Sequence, residues 1–135
     1  MITLNQEIIG YINVFENATR ASVKDCFLED DTIVFVINSG NMGLAIGKGG
    51  RNIKHVSSLL HKKISIIEFN PDPVAFIKNL IFPVKPKDVK LQENNLIITA
   101  HDTKEKGKIY GRERTNLKRV QEIVSKYFPI IIKIE

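Results

Sequence analysis

The chain has 135 residues, 43% of them apolar and 26% charged, which excludes wholesale disorder and allows one ordinary domain or two very small ones. The single cysteine, Cys26, excludes an internal disulfide and a multi-cysteine zinc site. No apolar run approaches the roughly 20 residues of a membrane span. Met1–Ala18 lacks the basic start of a secretory signal, so a reducing, cytoplasmic location without a membrane partner is expected.

The net charge of +5 is uneven. Residues 1–70 carry seven Lys/Arg against seven Asp/Glu, and residues 71–135 carry thirteen against eight. Two stretches are strongly basic. Leu44–Lys63 holds Lys48, Arg51, Lys54, Lys62 and Lys63 with no acid. Lys104–Arg119 holds seven basic residues against Glu105 and Glu113. Such clusters suit a polyanion, although lysines also decorate ordinary solvated helices.

In chain order, Thr3-Leu4-Asn5-Gln6 reads as a capping box. The helix behind it has Leu4, Ile8, Ile12 and Phe15 as its apolar stripe. A strand is predicted around Ser22–Leu28, a turn at Glu29-Asp30-Asp31 and a β-branched strand at Thr32–Ile37. Asn38-Ser39-Gly40 breaks that strand. A short helix, Met42–Ile46, leads into Gly47-Lys48-Gly49-Gly50. The next helix has Ile53, Val56, Leu59 and Leu60 on one face, read as core, and Ile64–Phe69 is the last strand. Asp72-Pro73 starts another helix, cap then proline, which ends near Pro83. Strands follow at Asp88–Gln92 and Asn95–Ala100. A short helix near Lys104–Tyr110 meets Gly111-Arg112-Glu113-Arg114. A helix with Leu117, Val120, Ile123 and Val124 and a strand, Ile130–Ile134, complete the chain.

The second half repeats the first. Shifted by 64 residues, Ala45–Ile67 falls on Ile109–Ile131 without a gap. Gly47/Gly111, Asn52/Asn116, Lys54/Lys118, Val56/Val120, Lys62/Lys126, Ile66/Ile130 and Ile67/Ile131 are identical. The match extends upstream through Gly43/Gly107, Ile33/Ile97 and Glu29/Glu93. Two α-β-β-α-α-β units are therefore expected, at residues 1–70 and 71–135. Units this small are marginal alone, so they are expected to pack together as an α+β tandem.

Gly47-Lys48-Gly49-Gly50 has the chemistry of a phosphate clamp. Its glycines permit a tight turn between helices and the close approach of a foreign backbone. Amides at a helix start attract phosphate, and Lys48 and Arg51 add full charges. Ile46, Ile53 and Val56 can line an adjacent groove for unstacked bases.

With these residues in place, the chain resembles tandem type II KH domains. Two such units in a chain of this length resemble the archaeal NusA-type transcription factor family. The resemblance implies single-stranded RNA binding in transcription termination or antitermination, without catalysis, cofactor or metal. RNA polymerase is then a candidate protein partner. By that resemblance Gly47, Lys48, Gly49 and Gly50 clamp backbone, with Ile46, Arg51, Ile53 and Lys54 at the groove. At about four nucleotides per KH unit, the footprint is roughly eight or more. The second loop departs from the pattern, because Arg114 replaces the last glycine and Glu113 puts an acid where phosphate would lie. Gly111, Arg112, Arg114 and Lys118 are its candidate RNA-binding residues, with Lys108, Arg112, Arg114, Lys118 and Arg119 acting as point charges, or the unit is mainly a packing partner.

Sharper alternatives fit poorly. A P-loop needs G-x-x-x-x-G-K-[ST], whereas only three residues separate Gly43 from Gly47 and Gly49 stands in the Ser/Thr place. A dinucleotide fingerprint needs a glycine where Asn52 stands. His55, His61 and His101 lack metal-ligand spacing, and Cys26 in a strand reads as a buried, inert thiol. Two rivals keep the fold: a ribosome or rRNA-maturation factor, and a KH-based protein adaptor.

Overall fold

In the computed structural model the backbone is described for residues 2–135 and side chains from Gln6 onward. Thr3, Leu4 and Asn5 of the expected capping box, and with them Leu4 of the apolar stripe, lie outside the described side chains. The chain divides into two units, Met1–Phe69 and Asn70–Glu135.

Unit 1 runs α1 (Ile2–Thr19), β1 (Val23–Glu29), β2 (Thr32–Ile37), α2 (Met42–Ile46), a single 3-10 turn (Lys48–Gly50), α3 (Arg51–Leu60) and β3 (Lys63–Glu68). Its sheet order is β1-β2-β3, with β1 antiparallel and β3 parallel to β2. The hairpin turns through Asp30 at φ 53°, a left-handed position that short acidic residues tolerate. Central strand β2 is buried from Ile33 to Ile37. Phe15 stacks on Phe35 with ring centroids 4.2 Å apart, and Ala45 and Val56 join that core. The α1 C-terminus is closed by buried Thr19, whose hydroxyl donates to Phe15 O at 2.8 Å and accepts from Ala21 N. Cys26 is buried, and burial, with the Asp25 carboxylate second, pushes its thiol up to about 12.

Unit 2 repeats the order: α4 (Pro73–Ile81), β4 (Asp88–Gln92), β5 (Asn95–Thr99), α5 (Thr103–Tyr110), a 3-10 turn (Arg112–Arg114), α6 (Thr115–Ser125) and β6 (Ile131–Ile134). β4 is antiparallel and β6 parallel to β5. Asp72 caps α4 by accepting from Val74 N at 3.1 Å, with Pro73 at the first helical position. Asp102 caps α5 by accepting from Glu105 N at 2.8 Å. Glu105 in turn accepts from the His101 amide and its ring Nδ1, each at 2.9 Å. The backbone bond first, and the ring second, hold the Glu105 carboxyl below its ordinary value.

Two expectations need correction. Leu59 is 50% exposed and is not core; only Val56 of the predicted α3 face is fully buried. The gapless repeat also fails at its ends. Glu29 pairs with Thr32 at the first hairpin's tip, and Gln92 with Asn95 at the second, so Gln92 rather than Glu93 matches Glu29. Thr32 pairs with Lys63, whereas Asn95 pairs with Ile131, so Ile131 matches Lys63 rather than Ile67. The upstream slip follows from α5, which is longer than α2 by more than β5 and the connection before it are shorter, and the downstream slip from a longer connection after α6. The connection after α6 brings Tyr127 and Phe128 onto Phe76, at centroid distances of 5.7 and 6.0 Å. Among the described residues no helix is long and apolar enough to cross a membrane.

Candidate nucleic-acid interface

Each unit presents a helix, a sharp turn and a second helix, and the two turns share one backbone path. Gly47 has φ/ψ of 72/170° and Gly111 has 72/172°. Gly49 (64/21°) corresponds to Glu113 (55/30°), and Gly50 (77/17°) to Arg114 (61/20°). The same bonds close both turns. Gly50 N donates to Gly47 O at 3.1 Å, and Arg114 N to Gly111 O at 3.2 Å.

The first glycine of each turn is required from within. Its dihedrals lie in a region essentially reserved for glycine. A Cβ on Gly47 would also sit 2.7 Å from Asn52 Cγ, and one on Gly111 2.6 Å from Asn116 Cβ. Those asparagines lock the turns. Asn52 Nδ2 donates to Leu44 O at 2.7 Å and Asn116 Nδ2 to Ile109 O at 2.9 Å. The identity of Gly47/Gly111 and Asn52/Asn116 thus reflects one packed pair. The repeat contains that signal, but sequence reasoning assigned the asparagines no role.

The other two positions differ in what they expose. A Cβ on Gly49 would meet nothing within 4 Å, and one on Gly50 only the ends of Lys54 and Ile53 at 3.7 and 3.8 Å. The first turn is therefore an open backbone surface. Lys48, Arg51 and Lys54 are exposed around it, and none makes an ion pair among the described residues. Ile46, 39% exposed, stands beside the turn. Between α3 and β3 runs a groove of about 410 Å³ lined by Ile53, Lys54, Ser57, Lys63 and Ile64. Val56, an expected groove residue, is buried in the core instead.

In unit 2 side chains occupy the equivalent surface. Glu113 projects from the tip, and the Arg114 guanidinium lies over the Tyr110 ring, 5.3 Å from its centroid. Thr115 stands where unit 1 has Arg51, and its hydroxyl donates to Arg112 O at 2.7 Å. The equivalent groove, about 350 Å³, is lined by Leu117, Lys118, Gln121, Glu122 and Ile132. The structure thus gathers Ile46, Gly47, Lys48, Gly49, Gly50, Arg51, Ile53 and Lys54 around one loop and groove. Gly111, Arg112, Arg114 and Lys118 gather around the other. Ser57, Lys63 and Ile64 in the first groove, and Gln121, Glu122 and Ile132 in the second, were not selected from the sequence.

The KH domain family profile matches residues 7–87. A Halobacterium salinarum protein named "Probable transcription termination protein NusA" is 32% identical over 133 residues, spanning 96% of this chain and 94% of that protein. The chain belongs to the archaeal NusA-type family of KH proteins. A Methanococcus vannielii protein of the same name is 42% identical over 99 residues, spanning 72% of this chain and 57% of that longer protein. The crystal structure of APE1850 superposes with a TM-score of 0.76 at 29% identity, covering 96% of this chain and 99% of that one. The α-β-β-α-α-β order of each unit is the type II KH arrangement. In KH modules a G-x-x-G loop clamps the backbone of a single strand while the neighbouring groove receives bases.

Proposed function

We propose that the protein is a non-enzymatic, cytoplasmic factor that binds single-stranded RNA on nascent transcripts and acts in termination or antitermination. The observation that carries the reading is the open first turn. Gly49 and Gly50 leave the backbone bare, three exposed cations surround it, and an aliphatic groove adjoins it. A phosphate can approach the amides there without displacing a side chain. Bases from the same strand then reach Ile53 and Ile64. Unit 1 is the primary clamp in this account. Unit 2 adds a second set of cations, Arg112, Arg114 and Lys118. The names of the archaeal relatives support the link to transcription, and RNA polymerase is the protein partner that this role would require.

Anisotropy titration with short single-stranded RNAs tests the clamp. A Lys48→Asp/Gly49→Asp variant, folded by circular dichroism, should lose affinity by at least about tenfold, because it replaces cation and open backbone with two anions. Unchanged affinity would remove the first loop from the mechanism. Retained polymerase capture with no RNA binding by either protein would favour the adaptor.

A further inference from the structure

In both units the last strand is a sheet edge beside the groove. Along a parallel edge strand, alternate residues turn their polar groups toward the neighbour and away from it. The Phe69 amide donates to Ile37 O, and the Glu135 amide to Ile98 O, each at 2.8 Å. These bonds set the phase. The Ile64 amide in β3 and the Ile132 amide in β6 therefore point away from their sheets. The two residues are equivalent by strand register, and each lines its groove.

The grooves part company at one helical position. In unit 2, Gln121 Oε1 accepts the Ile132 amide at 2.8 Å, and its Nε2 donates to Ile130 O at 2.9 Å. The same Nε2 lies 3.0 Å from Ser125 Oγ. Unit 1 has Ser57 there. Its short hydroxyl donates to Lys62 O at 2.8 Å, and no side chain among the described residues takes the Ile64 amide.

We infer that Gln121 is a specificity-determining residue: it occupies the strand-edge amide of Ile132, whose counterpart at Ile64 unit 1 leaves for a base edge, so unit 2 holds RNA without reading its bases. This rests on the RNA-binding reading above. An edge amide is a fixed donor, and a groove that offers one discriminates between bases that do and do not present an acceptor. A groove whose amide is already satisfied lacks that fixed backbone donor, and stacking and phosphate contacts tolerate any sequence. A purely structural role for Gln121, tying down the longer connection after α6, would leave RNA selectivity untouched.

Amide-resolved NMR on the full chain separates these cases. Without RNA, Gln121→Ala should speed hydrogen exchange of the Ile132 amide by roughly tenfold, toward the Ile64 rate. Titration with octa-adenylate, octacytidylate and octauridylate should then move the Ile64 amide differently for each RNA in the wild type. The Ile132 amide should stay still in the wild type and become RNA-responsive only in Gln121→Ala. An Ile132 amide that already responds in the wild type, or stays silent in Gln121→Ala while the Lys48–Gly50 amides move, overturns the inference. If the Lys48–Gly50 amides do not move with any RNA, the RNA-binding reading itself fails. Unaltered Ile132 exchange in Gln121→Ala would mean that Gln121 does not hold that amide, and overturns the inference whatever the RNA does.

Discussion

The two turns have the same backbone and opposite surfaces. In unit 1 three glycines trace the path; in unit 2 Glu113 and Arg114 trace it with side chains attached, both at left-handed φ. The path therefore does not depend on all three glycines. It depends on the first one and on the asparagine packed against it. The remaining two glycines serve access instead. Charge follows the same division. Unit 2 carries the chain's excess positive charge, yet around its loop and groove Arg112, Arg114 and Lys118 are offset by Glu113 and Glu122. The first loop and the lining of its groove hold Lys48, Arg51, Lys54 and Lys63 and no acid. Local field, rather than net charge, marks the stronger candidate for a polyanion.

The largest expected effect tests the shared part of this comparison. Gly47→Ala and Gly111→Ala should each destabilise their unit by about 3 kcal/mol or more, through Gly-only dihedrals plus overpacking. Gly111→Ala should be the worse, because its Cβ would also meet Asn116 backbone N at 2.9 Å. Urea unfolding reads both. Near-neutral results would break the division of the glycines into one structural and two accessible.

A smaller effect tests the part that differs. Glu113→Gly/Arg114→Gly should stabilise unit 2 by about 1 kcal/mol, since two left-handed side-chain residues are relieved against the added chain entropy of glycine. The same change should raise RNA affinity by baring the second turn. Stability without an affinity gain would assign unit 2 to packing.

The smallest concerns a device that, among the described residues, unit 2 alone has, the bonds from His101 to Glu105 at the start of α5. The Glu105 carboxyl is held below its ordinary value, so its contribution is present above that value and fades as pH falls through the folded-state one. In Glu105→Gln, the acid-side slope of stability should flatten, and the His101 amide should exchange faster at neutral pH. An unchanged slope would leave the cap without an electrostatic part.

Much of this was legible in the sequence because the signals were local. β-branched runs, Asp72-Pro73 and the glycine loop placed the elements, several to the residue, as at Thr32–Ile37 and Asp88–Gln92. The repeat held where helix and turn geometry repeats. It slipped where Ile130 and Ile131 happened to match Ile66 and Ile67, while Tyr127 and Phe128 pack on Phe76 in the longer connection. Leu59 had the right period, but half of it faces solvent. Asn52 and Gln121 act by reaching across the turn or to a strand edge. Those are tertiary contacts with no periodic signature.

The central claim is that the first loop clamps RNA because it is bare, not because of its path. Gly49→Glu/Gly50→Arg gives unit 1 the residues of the second turn on a backbone that already accepts them. With folding verified by circular dichroism, the account predicts at least about a tenfold drop in affinity for single-stranded RNA and a shallower salt dependence, by about 0.7 for each phosphate that is no longer neutralised. Wild-type affinity in that variant would contradict it.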